Sequence, residues 1–255
     1  MSLNPVPRII KTTGIVLNVQ RWRETSKLVT IFTEDYGKLI FLAKGARRLK
    51  SQFGGALEVF NRCVVIFYHS ERKTIYTLSS AYLLEDFSSL KSITKFIPGY
   101  ELLEIILRGT KLEEPSFKLY NLLLSALRIL NQNNRFTPKH LQSFLASYYL
   151  KAISILGYRP ELNQCVKCRL KNINYFSISA GGAICNTERH PELQDLVPAR
   201  VIKPMRFLLT HSLTSAFKLQ IPEETFKLIH RYCEYYLETQ LAEAFDVFFD
   251  AGDKK

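Results

Sequence analysis

The feature that most limits the fold is a change of hydrophobic period after Leu84. Before this point, short apolar and β-branched runs alternate with turn residues, whereas apolar residues recur at helical spacing after it. A chain that changes period once predicts an α+β protein, with strands gathered at the N-terminus and helices following them.

The first third of the chain contains five predicted strands, over residues 9–19, 27–33, 38–43, 57–68 and 73–84. The sequence Glu34-Asp35-Tyr36-Gly37 predicts a tight hairpin turn with Gly37 at positive φ. Five strands with short connections predict an N-terminal five-stranded OB-like β-barrel, and an SH3-like barrel is the alternative on pattern alone. The aromatic residues expected in its core are Phe32, Phe41, Phe60, Phe67 and Tyr76.

The remaining chain predicts an α-helical domain. We expect helices at residues 98–107, 116–130, 137–156, 203–212 and 223–241, and Thr137-Pro138 is typical of a helix start. Residues 158–200 differ, because proline, glycine and three cysteines replace the helical period. The sequence therefore predicts an OB domain over residues 1–82 and a helical domain over residues 83–255, with a cysteine-rich insertion at about 158–200.

Positive charge is concentrated in the predicted barrel. The chain carries 35 Lys and Arg against 23 Asp and Glu, a net charge of +12, and residues 1–80 hold 13 and 5 of these, a net of +8. Such an excess favours a polyanionic partner, namely nucleic acid, an anionic membrane or an acidic protein segment. A basic surface that only faces solvent is the alternative.

Motifs of familiar catalytic sites are missing from the sequence. It contains no phosphate-binding G-x-x-x-x-G-K-[ST], no G-x-G-x-x-G, no H-E-x-x-H and no G-x-S-x-G. Cys63 and Cys233 lie in apolar or aromatic surroundings, which are typical of buried, unreactive cysteines. Because no stretch approaches the roughly 18 apolar residues that span a bilayer, and no export signal is recognisable, we expect a cytoplasmic protein with no catalytic residue and no membrane partner.

Two short basic segments follow the first and third predicted strands. Phosphate-binding cations beside an aromatic ring on which bases stack are the ingredients of a single-stranded nucleic-acid site. Gly45 lets the backbone turn in the second segment, and Phe53 lies close behind it. For Trp22 the alternative is that its ring closes the end of the barrel. The candidate DNA-binding residues are Arg21, Trp22, Arg23 and Lys27 in the first segment and Lys44, Arg47, Arg48 and Lys50 in the second.

Residues 13–51, TGIVLNVQRWRETSKLVTIFTEDYGKLIFLAKGARRLKS, resemble the start of the RecO family of bacterial recombination mediators. GYRPELNQCVKC from Gly157 and FSISAGGAICN from Phe176 resemble its later part. The resemblance covers most of the chain and is strongest at residues 13–51 and 157–186. It implies an OB domain, then a helical domain with a small zinc-ribbon-like insertion, and no enzymatic cofactor.

The same resemblance implies a non-enzymatic role in recombinational DNA repair at the nucleoid. Such proteins bind single- and double-stranded DNA and anneal complementary strands. They act with RecR on strands coated by single-stranded-DNA-binding protein, and thereby load RecA. The residues themselves leave two alternatives open, an RNA-binding OB protein and a basic scaffold for acidic protein segments.

Three cysteines form part of a metal-ligand pattern, since Cys185 follows Cys165-x-x-Cys168 after 16 residues. A second C-x-x-C pair would make this a strong structural zinc signal, but Glu188 stands where the fourth cysteine is expected. His190 is the candidate replacement ligand. We expect either a structural zinc held by Cys165, Cys168, Cys185 and His190, or a degenerate site held by packing alone.

The resemblance further implies a receptor for the acidic C-terminal tail of single-stranded-DNA-binding protein. That tail ends in an apolar residue, so its receptor needs an apolar pocket edged by cations. The apolar segments 102–108 and 119–128 carry Arg108 and Arg128 near their C-terminal ends, which makes these arginines the candidate partner-binding residues. The alternative is that each arginine only stabilises a helix end through the helix dipole.

Overall fold

The computed structural model describes residues 8–69, 74–133 and 137–250, with side chains described up to Glu238. The chain divides into two compact units, Met1–Gln132 and Asn133–Lys255. The first unit contains the strands of the predicted OB domain together with two helices, and the predicted domain boundary after residue 82 stays a prediction. Among the described residues, no helix has both the length and the apolar character that a membrane span requires.

Five strands form a closed barrel in the first unit. They are β1 (Arg8–Trp22), β2 (Ser26–Thr33), β3 (Gly37–Ala43), β4 (Arg62–His69) and β5 (Ile75–Glu85). Their order around the barrel is β1-β2-β3-β5-β4, and β1 also pairs with β4. All pairs are antiparallel except β3–β5, which is parallel. The five-stranded OB-like prediction is therefore confirmed.

Two predicted strand boundaries differ from the structure. The fourth strand begins at Arg62 rather than at Leu57, because Phe60 has a positive φ of 77° that interrupts the extended backbone. Leu57 instead packs into the barrel core from the connecting segment. The fifth strand is described from Ile75, and its predicted start at residue 73 lies outside the described residues.

The five aromatic residues predicted for the core are all buried. Phe41, Phe67 and Tyr76 fill the barrel interior. Phe32 and Phe60 face outward from it and are covered by helices, since their rings lie 6.1 Å from that of Tyr120 and 5.9 Å from that of Phe96. The predicted burial is confirmed, and these aromatic contacts join barrel and helices in one unit.

Helices α1 (Ile93–Gly109) and α2 (Phe117–Gln132) complete the first unit. Helix α1 begins five residues before its predicted start and contains Pro98 inside. Its C-terminal end is held by Lys38 of β3, whose Nζ donates to the carbonyl oxygens of Leu107 at 2.6 Å and Thr110 at 2.5 Å. Such carbonyls have no partner within the helix, so a donor from the barrel stabilises them.

The second unit combines helices with a small sheet. Its helices are α3 (Pro138–Ile155), α4 (Ile202–Thr210), α5 (Leu213–Ala216) and α6 (Glu223–Asp250). The predicted start of α3 is confirmed, because the Thr137 side chain accepts a hydrogen bond from the His140 N–H at 3.4 Å. Between α3 and α4, the antiparallel sheet has the order β7-β6-β8, with β6 (Tyr175–Ser177), β7 (Gly182–Ile184) and β8 (Val197–Pro198).

Candidate nucleic-acid interface and cysteine cluster

The first basic segment lies in a β-hairpin. Arg21 and Trp22 pair with Lys27 and Ser26 at the end of the β1–β2 ladder, so the prediction that they follow the first strand is wrong. Ladder pairing extends this far because it gives each backbone N–H and carbonyl a partner. Arg23 lies in the turn itself, with a positive φ of 51°. Trp22 is 43% exposed, which leaves its ring available to stack on a base.

The second basic segment folds back onto this hairpin. The chain turns at Gly45 after β3, as predicted, and Gly45 has a positive φ of 72° there. Arg47 Nη1 then donates to the carbonyl oxygens of Arg23 at 3.3 Å and Glu24 at 2.8 Å, and the Arg47 N–H donates to Thr25 at 2.9 Å. Two segments separated along the chain therefore form one surface, which we call the basic end. It comprises Arg21, Trp22, Arg23, Lys44, Arg47, Arg48 and Lys50.

The predicted DNA-binding residues differ in what they already contact. Lys27 is half-buried, and its Nζ forms an ion pair with Glu58 Oε1 at 3.0 Å. Arg47 is exposed, but its guanidinium already donates a hydrogen bond to the backbone of the hairpin turn. In the described part of the chain, no ion pair is found for the exposed side chains of Arg21, Arg23, Lys44, Arg48 and Lys50. Among the predicted DNA-binding residues, these five are therefore the cations most accessible to phosphate.

Two residues beside the basic end serve the fold. Phe53 is buried in the barrel core, so it offers no exposed ring for stacking. Glu58 accepts hydrogen bonds from Lys27 and from Lys91, the latter at 3.1 Å. Burial favours the protonated carboxyl, but these two hydrogen bonds outweigh it and hold the pKa of Glu58 below its ordinary value.

Arg128, a predicted partner-binding residue, is bound to the barrel. Its Nε and Nη2 donate to Glu85 Oε2 at 2.7 Å and Oε1 at 2.5 Å. Arg62 Nη1 donates to the same carboxylate at 2.8 Å, while Arg62 Nε donates to Tyr120 Oη at 3.1 Å. The hydrogen bond from Arg128, followed by that from Arg62, keeps the pKa of Glu85 below its ordinary value despite burial. Arg128 therefore links α2 to β5.

Arg108, the other predicted partner-binding residue, lies in the last turn of α1. Its Nη1 is 3.5 Å from Glu104 Oε1, one helical turn earlier. The apolar residues that the prediction assigned to a pocket near these arginines are instead core residues, because they are buried in the first unit. They include Leu102, Leu103, Leu119, Leu123 and Leu127.

The three predicted cysteine ligands come together in the second unit. The sulfur atoms of Cys165, Cys168 and Cys185 all lie within 4.8 Å of one another, and those of Cys168 and Cys185 are 3.4 Å apart. Four sulfurs at about 2.3 Å around a tetrahedral zinc would be about 3.8 Å apart, so the spacing fits this ion. The Cys165 N–H donates to Leu170 at 2.8 Å and the Arg169 N–H donates to Cys165 at 3.0 Å, which closes a tight turn around the pair.

The backbone around the cysteine cluster also changes the pKa of the Cys165 thiol. Burial disfavours its ionised form, but hydrogen bonds from the backbone at Cys168 and Cys185 lower the pKa of Cys165 to about 7. Among the described residues, the cluster that could hold a metal ion has three members and does not include His190. His190 is exposed, with Nε2 3.7 Å from Glu188 Oε2. The three thiols thus fit a structural metal, and His190 as the fourth ligand stays a prediction.

The other two cysteines are buried, Cys63 in the barrel and Cys233 on α6. Burial raises the pKa of the Cys63 thiol to about 12, and it raises the pKa of Cys233 as well. A thiol that stays protonated is a poor nucleophile, in agreement with the prediction of unreactive cysteines.

Sequence comparisons assign the chain to a family. A family model described as "Recombination protein O N terminal" matches residues 8–87, and one described as "Recombination protein O C terminal" matches residues 91–246. A "DNA repair protein RecO" of Caldanaerobacter subterraneus subsp. tengcongensis is 34% identical over 239 residues, covering 91% of this chain and 94% of the relative. Proteins of the same name from a Thermoanaerobacter species and from Bifidobacterium animalis subsp. lactis are 32% and 30% identical, covering 91% and 88% of this chain and 94% and 93% of the relatives. Because both halves match in sequence order and the relatives extend along nearly the whole chain, this protein belongs to the RecO family of DNA repair proteins.

Proposed function

We propose that this chain is a non-enzymatic recombination mediator that binds single- and double-stranded DNA through the basic end. It anneals complementary strands without nucleotide hydrolysis and works in the cytoplasm, at the nucleoid. The observation that carries the proposal is the contact of Arg47 with the β1–β2 turn, which joins two basic segments beside an exposed Trp22.

The physical basis of DNA binding is counterion release. Lysine and arginine side chains that neutralise phosphates free the cations condensed on DNA, independently of base sequence. A surface of this kind lowers the repulsion between two complementary strands held on it, which favours annealing. Trp22 adds a stacking platform for an unpaired base, a contact that a closed duplex offers poorly.

The experiment compares two triple variants with equal loss of charge. Lys44→Ala/Arg48→Ala/Lys50→Ala removes exposed cations of the basic end but spares Arg47, whose side chain supports the turn. Each lost phosphate contact should reduce the slope of log affinity against log salt by about 0.7–0.9, and annealing should slow. The control Lys118→Ala/Lys139→Ala/Lys203→Ala removes three exposed lysines from helices. Equal slopes in the two variants would contradict the proposal.

Trp22→Ala separates the two kinds of DNA. Loss of one base stack costs about 1–3 kcal/mol, so affinity for single strands should fall at least about fivefold while affinity for duplex changes little. The variant should fold normally because Trp22 is exposed at the end of the hairpin. An equal loss of affinity for both kinds of DNA would contradict the proposal that Trp22 stacks on an unpaired base.

We further propose that the chain acts with RecR on DNA coated by single-stranded-DNA-binding protein, and so loads RecA. The relatives are named DNA repair proteins, which supports a role in DNA repair in general. A loading assay tests the finer proposal: RecA assembly on coated single strands should require this chain and RecR together. Assembly that proceeds equally without the chain would contradict it.

The proposed receptor for the tail of single-stranded-DNA-binding protein includes Arg108 and Arg128. Charge reversal at Arg128 is a poor test, because a glutamate there would face Glu85 and loosen α2 from the barrel. We therefore compare Arg128→Ala in the native chain and in a Glu85→Ala background. If Arg128 binds the tail, tail-peptide affinity should fall in both backgrounds. A fall only where Glu85 is present would reflect loss of the salt bridge.

We also propose a structural zinc held by Cys165, Cys168, Cys185 and His190. A bound zinc would crosslink the turn at Cys165 to the end of β7 and would supply no catalysis, since a four-ligand site has no open position. Protein purified without chelators should contain about one zinc per chain, and Cys168→Ser should lower this content. His190→Ala tests the fourth ligand separately. Absence of metal in the unaltered protein would favour the degenerate site.

A further inference from the structure

A small pocket lies at the end of the barrel opposite the basic end. Strand β2 begins beside the basic end and ends at the β2–β3 turn, where a cavity of about 180 Å³ is found. Its walls include the rings of Tyr36, Phe67, His69 and Tyr76 and the carboxylates of Asp35 and Glu113. We call this site the acidic pocket. Its described lining contains no lysine or arginine, in a chain with a net charge of +12.

The rings of the pocket form a continuous and well-packed wall. Tyr36 meets Phe67 edge-on, with ring centroids 6.4 Å apart, and Phe67 lies 5.3 Å from Tyr76. His69 stacks on Tyr76 at 5.2 Å with an interplanar angle of 17°. Phe67 and Tyr76 are 0% and 2% exposed, so they support the wall from behind, and the rings that a ligand can reach are those of Tyr36 and His69. Because each ring is held by its neighbour, the orientation of these two rings is fixed.

Hydroxyl groups hold both carboxylates of the pocket. Thr12 Oγ1 donates to Asp35 Oδ2 at 2.6 Å, and Tyr76 Oη donates to Glu113 Oε1 at 2.6 Å. The Glu113 backbone is also fixed, since its N–H donates to Lys38 at 3.0 Å. Burial, together with the hydrogen bond to Glu113, raises the pKa of Tyr76, so its phenol remains a donor at physiological pH. The carboxylates are therefore positioned before any ligand arrives.

The size and charge of the pocket limit its ligand. Pockets for drug-sized ligands occupy about 300–1,000 Å³, so 180 Å³ suits a single side chain better than a nucleotide. Two carboxylates repel phosphate, which excludes the DNA backbone. Aromatic faces and carboxylates both attract a cation, and a planar guanidinium uses both because it stacks on rings and donates in pairs to carboxylates.

We infer that the acidic pocket binds one arginine side chain of a protein partner. A protein segment fits better than a free cation because the rim also offers apolar surface. Tyr36 is 37% exposed, and Pro115, which also lines the pocket, is exposed. Residues flanking the bound arginine would cover this surface, whereas a small polyamine would leave it in water.

The test uses the full chain and two matched peptides. The probe is acetyl-Gly-Arg-Gly-amide, and its control replaces arginine with citrulline, which is similar in shape but uncharged. Side-chain NMR resonances of Tyr36, His69 and Tyr76 report binding. We expect saturable shifts with the arginine peptide and at least about tenfold weaker binding of the citrulline peptide, because hydrogen bonds to charged groups contribute about 1.5–3 kcal/mol.

Substitutions at the pocket sharpen this test. Asp35→Asn and Glu113→Gln should each weaken the arginine peptide about tenfold, for the same reason. Glu34→Gln is the matched control, since Glu34 lies in the same turn but accepts a hydrogen bond from Thr13 outside the pocket lining. Unshifted resonances elsewhere would show that each variant is folded.

Four results would overturn the inference. The first is equal binding of the citrulline and arginine peptides, and the second is an equal effect of Glu34→Gln and Glu113→Gln. The third is spermidine binding to the same resonances more tightly than the arginine peptide, which would assign the pocket to a small polyamine. Absence of any shift in the unaltered protein at millimolar peptide would also exclude the proposed ligand.

Discussion

The two ends of the barrel use charge in opposite ways. Eight residues of β2 separate them, a distance of roughly 26 Å along the strand. At the basic end, Arg21 at the end of β1 and four cations in turns are exposed and form no ion pair within the described residues. At the acidic pocket, hydroxyl groups fix two carboxylates between packed rings. Exposed charge spread over a surface suits a long polyanion, whereas fixed charge in a small cavity suits one defined cation.

Backbone packing at the two ends differs as much as charge does. Gly37 is the first residue of β3, and Gly45 lies two residues after its end. Their φ values are both positive, 68° and 72°. A Cβ on Gly45 would lie 3.5 Å from the flexible Arg48 side chain, but a Cβ on Gly37 would lie 2.2 Å from the Glu114 backbone oxygen. The pocket end is therefore closed against the segment that precedes α2, while the basic end is open.

This contrast gives the largest expected effect. Gly45→Ala should cost about 1–2 kcal/mol, the cost of a left-handed conformation for a residue with a Cβ. Gly37→Ala carries the same cost and also a collision with backbone that cannot move aside, so it should cost at least about 3 kcal/mol. Urea unfolding of both variants measures the difference. Equal destabilisation would mean that the two ends of the barrel tolerate an added Cβ equally well.

Local signals explain why parts of the fold were predictable. The turn at Gly37, the reversal at Gly45 and the cap at Thr137 depend on residues within four positions, so the sequence displays them directly. Burial of Phe41 and Phe67 follows from alternation along a strand. The early start assigned to the fourth strand failed because a positive φ at Phe60 leaves no mark on the apolar pattern.

Contacts between distant segments were not predictable. The carbonyl partners of Lys38 lie 69 and 72 residues later, at the C-terminal end of α1, and no local pattern points to them. The link from Arg128 to Glu85 spans 43 residues, and that from Tyr76 to Glu113 spans 37. Each depends on how a helix or loop packs on the barrel, and no spacing rule connects such residues.

Lys38 provides the next prediction, because it is a cation at the pocket end that serves the fold alone. Lys38→Met should leave DNA affinity unchanged but destabilise the chain by about 1–3 kcal/mol, since two carbonyl oxygens lose their donor. Lys44→Met, at the basic end, should instead weaken DNA binding and leave the stability of the chain unchanged. Urea unfolding and DNA anisotropy on both variants measure these effects, and equal stability of the two would contradict the buried role of Lys38.

The pH dependence of stability checks the same residue. Burial lowers the pKa of Lys38 from 10.5 to about 8 in the folded chain. Between these values the unfolded chain binds more protons than the folded one, so stability contributed by Lys38 rises with pH across that window. The advantage of the unaltered chain over Lys38→Met should therefore grow by roughly 1 kcal/mol between about pH 7 and about pH 9. A constant difference would indicate that Lys38 titrates normally.

The smallest expected effect concerns the influence of one end on the other. Asp35→Asn/Glu113→Gln removes two negative charges from a strongly basic chain, so simple charge counting predicts tighter DNA binding. The pocket, however, is roughly 26 Å from the basic end along β2, and the Debye length at about 0.15 M salt is about 8 Å. Screening should therefore hold DNA affinity within about twofold of the unaltered chain at that ionic strength, while arginine-peptide affinity collapses. Anisotropy with a single-stranded oligonucleotide measures the first quantity and the NMR titration the second. A parallel change of both affinities would mean that the two ends form one binding surface, because only direct contact with DNA could carry the effect across that distance.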